Sequence, residues 1–505
     1  MDEPRERFPD IYDYILTEET DFKTRKITLA QGYDWNMWKH IERSYLFKNS
    51  QFTEDNNSQE KTKKPFNNVI LPIANVNYRS EGFDVKDVEL YVDNSDYYHL
   101  SLLGKKYYHK WAIENKLDTA IDESVVSYFD YGLSLIKNVF DKRPEIVQPQ
   151  QIAFADQTDI LSGPICLKHN MSISELLDMK GKWYDTEIDK AVTMARFTND
   201  EKKTPGKYIE VYELHGMFPE TWLGAETYGD NWEDTGKYSS QIHIVTYYVN
   251  QTDRTKNGIC LFKGKEPKSI FKALKRDDVY GRACGRGGIE ELFHSQIWTN
   301  WSWIQMQQML EAVSKVVHVT DDKKLASQNN LSNIKHGQII KVDEGKTVTQ
   351  LSAVAPNYQL FDNFMNKIEQ AARTIGSASD PQLGLNPVSG TPLGTTEIVT
   401  TQGIGIHEYR QGQLATFWHE IHLDWIMGYL TRDLNRGDEW LDELDVDELK
   451  EVARRVSVNQ SNKKIKDLVL SGKKVTKEEQ AVMMQFIQDS FMKGGKKRFM
   501  KTMKD

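Results

Sequence analysis

Cysteine is scarce. Cys166, Cys260 and Cys284 are the only three in 505 residues. They lie far apart and form no CxxC pair, which excludes a disulfide-stapled scaffold or a cysteine-held zinc module and fits a reducing cytoplasm. Long apolar runs are missing as well. No stretch of about 18 consecutive apolar residues occurs, so no membrane span is expected. The opening segment MDEPRERFPDIYDY is charged and lacks the apolar core of a signal peptide. Positive charge is in deficit: 65 Lys and Arg stand against 74 Asp and Glu, a net charge of −9. That balance opposes a protein that grips nucleic acid through its phosphates, though not one past which nucleic acid slides. What is present is ample apolar and aromatic material, 39% and 11%, with 12 Trp and 23 Tyr. It is enough for a large core and more than one structural unit.

Several motifs fail on inspection of their spacing. In EGKTVTQ, Gly345-Lys346-Thr347 has Ile340 where a phosphate-cradling loop needs glycine, and a strand-like run follows instead of a helix. YGRACGRGG lacks the GxGxxG spacing of a dinucleotide site and reads as a flexible hinge before a helix. Its Arg282 and Arg286 are candidates to pair with carboxylates of a neighbouring subunit. In WHEIH the histidines, His419 and His422, stand three residues apart, whereas a zincin helix needs four; they read as packed or surface histidines. The carboxylate run DEWLDELDVDELKE lacks the glycine of a calcium loop and reads as a solvated helix face. Trp298, Trp301 and Trp303 in IWTNWSWIQM read as helix or subunit packing rather than a sugar platform, since no paired catalytic carboxylates accompany them. There is no GxSxG and no Cys–His arrangement. No catalytic residue, metal site or cofactor is predicted.

The order of elements is more informative. Residues up to about 283 mix α and β. The period predicts a helix from Tyr97 to Tyr128, broken by Gly132, then a strand in GLSLIKNVF. Strands follow at Tyr208–Leu214, Ile242–Tyr248 and GICLF. Between them, MSISELLDMKGKWYDTEIDKAVTMARF is helical, with Ser172 or Ser174 as cap. Next comes a helix from about Ile289 to Val316, about 40 Å long. Its residues Ile289, Phe293, Ile297, Trp301, Ile304, Leu310, Val313 and Val317 fall on one stripe. A small β-rich excursion occupies 316–355. A helix at Tyr358–Ile375 places Tyr358, Phe361, Met365, Ile368, Ala372 and Ile375 on one face. A further long helix at Thr396–Leu434 carries Gly403, Gly405, Gly412 and Gly428, where a kink is expected. Between these two helices lies DPQLGLNPVSGTPLGTTE, in which no charge occurs from Pro381 to Thr396 although 28% of the chain is charged.

That order resembles the portal proteins of tailed double-stranded DNA bacteriophages. The phrases PFNNVILPIANVNYRSEG, DYGLSLIKNV, YIEVYELHGMFPETWL, GRACGRGGIEELFHSQIWTNW and SGTPLGTTEIVTTQG carry the resemblance, which covers nearly the whole chain. It implies an α+β portal fold: an α/β wing (1–283), a stem helix (284–316), a β-containing clip (317–355), a second stem helix (356–378), a tunnel loop (379–395), a long kinked helix (396–435) and a helical C-terminal or crown region (436–505). It implies a ring, usually of twelve copies, at one capsid vertex of the virion. Such a ring passes DNA inward during packaging and outward during ejection. Its expected partners are double-stranded DNA, the terminase large subunit, the major capsid and scaffold proteins, and a head–tail adaptor, with no membrane. The clip would present His336, Lys341, Asp343, Glu344 and Lys346 to the motor. Arg282, Arg286, Trp298, Trp301 and Trp303 would serve the subunit interface. Gly384, Leu385, Asn386, Val388, Ser389, Gly390, Thr391, Leu393, Gly394 and Thr395 would line the channel. A neutral loop suits that place, because each cation set against phosphate adds affinity through counterion release and would slow sliding. The competing readings are a metal-dependent nuclease and another minor virion protein.

Overall fold

The computed structural model describes residues 11–51, 66–90, 98–140, 142–197, 208–223, 238–249, 256–267, 270–314, 317–321, 344–351, 358–378, 380, 382–383, 393–436 and 445–494. The chain divides into two compact units. The first holds residues 1–42, 78–287 and 404–505, and the second holds 43–77 and 288–403. Every ladder between named strands is antiparallel, so the architecture is α+β and not α/β.

In the first unit, α1 (Ile11–Thr24) and a hairpin of β1 (Ile27–Ala30) and β2 (Tyr33–Trp35) precede α2 (Met37–Lys48). The division between units falls within α2 and again within α3 (Ile70–Glu81). Two helices follow, α4 (Tyr98–Glu114) and α5 (Leu117–Tyr131). The sequence pattern predicts one continuous helix here. Instead Lys116 adopts a left-handed conformation, φ 52°, and the chain turns before α5. The apolar stripe alone could not reveal that turn, because both helices present it to the same core. Gly132 ends α5 as expected, at φ 72°.

Strands β3 (Leu133–Lys137) and β4 (Glu145–Val147) form a three-stranded sheet with β10 (Phe271–Lys275), β3 in the centre. The larger sheet is a five-stranded meander of β5 (Ile152–Phe154), β6 (Ile165–Met171), β7 (Ile209–Pro219), β8 (Tyr238–Val249) and β9 (Lys256–Lys265). Its strands are longer than the sequence alternation implies. The two-residue period sorts β7 between two cores. Tyr212 and Leu214 join the core formed with α1 and β3, while Ile209 and Val211 join the core under α6 (Ile173–Asp178) and α7 (Asp185–Phe197). Ser172 is the cap of α6: its hydroxyl accepts from the Glu175 N–H, and the Glu175 carboxylate accepts from the Ser172 N–H.

A third core joins α4 and α5 to the segment 417–430. That segment begins in the last turns of the long helix α10, described from Leu393 to Ile421. The α-helix runs uninterrupted through Gly403, Gly405 and Gly412, and its break comes beside Gly428, the last of the four glycines where a kink is expected. A π-helical turn at His422–Ile426 interrupts it, and α11 (Met427–Arg436) continues. The unit closes with an antiparallel pair, α12 (Val446–Leu470) and α13 (Lys477–Lys493).

The second unit holds α8 (Gly288–Ser314), the hairpin of β11 (Val317–Thr320) and β12 (Val348–Leu351), and α9 (Tyr358–Ile375). The periodicity places both ends of α9 where the structure has them. Helix α8 packs along α9.

Candidate functional site

Helix α8 in the second unit departs from the usual arrangement of an amphipathic helix. Its first turns behave as predicted, with Ile289 and Phe293 buried. Beyond them the buried positions are polar: Gln296, Thr299, Asn300 and Ser302. Gln296 accepts from the Val69 N–H at 2.9 Å through Oε1. Its Nε2 donates to the Asn67 carbonyl at 2.6 Å and to Asn300 Oδ1 at 2.9 Å. Thr299 and Ser302 return their hydroxyls to the helix's own carbonyls. The polar face is therefore satisfied internally. Ile297 and Trp301 of the predicted stripe are instead about half exposed, as is their neighbour Trp298; Leu310, also half exposed, lies about two and a half turns on, on another face of the helix.

These residues form a patch with α9. Trp298 meets Trp301 edge-on at 5.5 Å and Phe364 edge-on at 6.3 Å. Each ring fixes the next, so the patch is preorganised, which lowers the entropy lost on docking. Trp303 is half-buried, and its indole N–H has no hydrogen-bond partner among the described residues. On α9 most of the expected face is covered: Ala372 is buried and Phe361, Met365 and Ile368 are partly so, while Ile375 at its end is exposed.

The foot of the neutral stretch is anchored. Gly376 N–H donates to the Ala372 carbonyl, and Asn77 Nδ2 donates to the Gly376 carbonyl at 3.0 Å. A methyl at Gly376 would come within 2.3 Å of Ile73 Cγ2, so only glycine fits there. Arg373 pairs with Asp380 at 3.0 Å. Gly384, Leu385, Asn386, Val388, Ser389, Gly390 and Thr391 lie outside the described residues. Leu393, Gly394 and Thr395, read from sequence as loop, belong to the first turn of α10. Of the residues assigned to motor docking, His336, Lys341 and Asp343 lie outside the described residues. Glu344 is exposed and Lys346 half-buried beside Gly345, whose φ of +83° makes a tight turn into β12.

The glycine–arginine segment, read from sequence as a hinge, is closely packed and ends where the first unit gives way to the second. Gly285 donates to the Gly132 carbonyl, and a methyl on Gly285 would fall 1.7 Å from the Arg276 carbonyl oxygen. A methyl on Gly287 would fall 2.7 Å from the Asp130 carbonyl oxygen. The glycines permit backbones to touch; they do not confer mobility here. Arg282 is buried in the first unit. It donates to Tyr33 Oη at 3.1 Å and stacks over Trp35, so it is withdrawn from any surface that a neighbour could reach. Arg286 is exposed.

Two buried ionic networks in the first unit escaped sequence analysis. Glu81 is wholly buried. Its Oε1 faces Arg276 at 3.5 Å, His407 at 3.4 Å and Arg410 at 3.6 Å, and Arg410 also reaches Asp277 at 2.8 Å. In the second, Glu213 receives Lys137 and His215 on Oε1 and His169 on Oε2, and His215 Nδ1 reaches Glu266 at 2.7 Å. Burial raises the Glu213 carboxyl, but bonds from His169 and His215 and the charge of Lys137 outweigh it, leaving it well below the usual range. Burial lowers His215, and Glu213 and Glu266 outweigh that, so its imidazole is raised. The Glu213 network ties strands of the two sheets together and the Glu81 network joins α3 to α10 and the segment after β10, as charges removed from water must be paired. Their partners come from distant parts of the chain, so spacing gave no signal.

His422 is buried, with Nδ1 2.7 Å from the Trp418 carbonyl and Nε2 2.8 Å from Tyr108 Oη, while His419 is exposed. The WHEIH reading as packed and surface histidines agrees with this. Among the described residues no group of three His, Cys, Asp or Glu side chains is placed to hold a metal ion. None of the described helices is long and apolar enough to cross a membrane.

No protein-family model matches the chain, and no curated protein matches it.

Proposed function

We propose that this chain is the subunit of a phage portal: a ring at one capsid vertex that conducts double-stranded DNA and docks the packaging motor and the head–tail adaptor. The observation that carries this reading is the outward aromatic face of α8 and α9. Ile297, Trp298, Trp301 and Phe364 are exposed while the same helix buries Gln296 and Asn300. A helix that satisfies its polar residues inside and shows its aromatics outside is built to be covered by another surface, and Trp is a preferred anchor there.

Three further features support it. The order α8, β11–β12 pair, α9, neutral stretch, α10 agrees with the stem, clip, stem, tunnel loop and long helix that the resemblance implies. The stretch from Pro381 to Thr396 has no charge and begins at a foot held by Gly376, Asn77 and the Arg373–Asp380 pair. The chain is acidic overall, as suits a ring that confines DNA without holding it. In a ring the aromatic patch meets a different surface on the next copy, so the contact is heterologous and closes by rotation.

The test is mass photometry with negative-stain class averages of the purified chain and of Trp298→Ser/Trp301→Ser. Rings of roughly twelve copies with a central hole are expected for the native chain. The double variant should shift to smaller species with an unchanged melting temperature. Native rings that persist in the double variant would remove the aromatic patch from the interface. A native chain without rings, even with capsid or scaffold protein present, would overturn the portal reading.

A further inference from the structure

The tip of the α12–α13 pair concentrates positive charge in an otherwise acidic protein. Between residues 463 and 477 stand Lys463, Lys464, Lys466, Lys473, Lys474 and Lys477 against Asp467 alone, net +5 in a chain of net −9. All six lysines are exposed, and none makes an ion pair among the described residues. Farther down the same helix the pattern is the opposite. Arg454 and Arg455 both pair with Glu451, and Lys450 pairs with Asp447.

The lysines do not serve the helix itself. A helix C-terminus favours cations in its last turn, but the last turn of α12 holds no basic residue. Three lysines precede that turn and three follow it. At 1.5 Å per residue Lys463, Lys464 and Lys466 lie within about 5 Å along the helix axis, so these three charges stand within a Debye length of one another. Their mutual repulsion is relieved when an anion covers them.

We infer that this tip binds the phosphates of duplex DNA without reading sequence. Duplex DNA presents a phosphate charge about every 1.7 Å of its axis, dense enough for closely set lysines each to meet one. Lysine supplies mobile point charges rather than the bidentate fork that reads guanine, and Asn462, Ser471 and Thr476 beside and among them carry groups that suit phosphate and sugar. The tip belongs to the first unit and is independent of the aromatic patch and of the portal reading, so it can be tested on the free chain.

The experiment is fluorescence anisotropy of a labelled random-sequence duplex titrated with the full chain across ~50–200 mM salt. Each phosphate contact contributes about −0.9 to the slope of log affinity against log salt, so five or six lysines give about −5. Lys463→Gln/Lys466→Gln/Lys473→Gln should reduce the magnitude of the slope by about 3 and weaken binding at least about tenfold at the lowest salt. The single changes Lys464→Gln and Lys474→Gln, at exposed sites, should each remove about 0.9 and keep the inference testable if the triple variant folds poorly. Val469→Ser/Leu470→Ser should leave DNA binding unchanged. An unaltered slope in the lysine variants would overturn the inference. So would loss of binding in the Val469/Leu470 variant, or native binding to anionic phospholipid vesicles with none to the duplex. Binding with these slopes by a chain that forms no rings would support the tip and count against the portal.

Discussion

Lowering the pH from 7 to 4.5 should destabilise the first unit through one histidine. His243 on β8 is wholly buried and lies edge-on to Phe218 and Trp222 at 5.9 and 5.8 Å. Its tautomer is dictated by Gln241. The Gln241 amide nitrogen donates to the carbonyls of Phe218 and Pro219, both at 2.9 Å, so its Oε1 must face His243 Nε2 and accept its proton at 2.8 Å. Nδ1 is then a bare lone pair, buried with no partner among the described residues. Protonation there would create a buried N–H with no acceptor, in a charged ring near Lys263 and His215. Burial foremost, and those two charges after it, push the imidazole down to about 4.

The sign follows from linkage. The unfolded chain takes up a proton near pH 6.5 and the folded chain does not until about 4, so stability is full above 6.5 and falls as pH drops between the two values. One proton over that interval amounts to about 1.4 kcal/mol at pH 5.5 and about 2.5 kcal/mol at pH 4.5. The assay is urea unfolding followed by Trp fluorescence, to which Trp222 contributes, at pH 7.5, 5.5 and 4.5. His243→Leu is expected to be less stable at pH 7.5, since Gln241 loses its partner, yet to show a shallower decline. The native-minus-variant difference should shrink by about 2.5 kcal/mol from pH 7.5 to 4.5. Parallel pH profiles would refute the assignment.

The Glu213 network answers to pH at both ends. Glu213, lowered in the fold, contributes stability that is lost as pH falls through its folded value. His215, raised, contributes stability present below about 6.5 and lost as pH rises through its folded value. Glu213→Gln should therefore cost up to about 3–5 kcal/mol at pH 7, because it removes the carboxylate that Lys137 and His215 share and leaves Lys137 with Glu145 at 3.7 Å and His215 with Glu266 at 2.7 Å. Denaturant midpoints measure this, and a loss under about 1 kcal/mol would show that Glu145 and Glu266 suffice to hold the two cations. Gly285→Ala should exceed the ~1–3 kcal/mol usual for overpacking, since the new methyl meets backbone and not a movable side chain. Soluble yield and melting temperature report it, and a native-like melt would mean that the strand end of β10 can yield.

Local chemistry was legible in the sequence wherever neighbours along the chain decide the outcome. Tyr358–Ile375 is a helix because its apolar residues recur at helical spacing, and Ser172 caps because Glu175 stands three residues on. Gly132 ends a helix because a left-handed residue is needed there. Periodicity states that residues share a face; it cannot state what covers that face. Ile297 and Trp301 do share a stripe, yet the structure leaves both half exposed and buries Gln296 and Asn300, since residues 67–69 supply hydrogen bonds that no local pattern announces. The glycines at 285 and 287 look like freedom in one dimension. In three dimensions they are contact, because Arg276 and Asp130 bring their backbones against them. The buried carboxylates Glu81 and Glu213 likewise depend on partners far along the chain, up to 329 residues away for Arg410. Sequence fixes which residues can form each element, because propensity and capping act over a few residues. Tertiary structure alone decides which faces are covered and which charges are paired, because burial and ion pairing act through space.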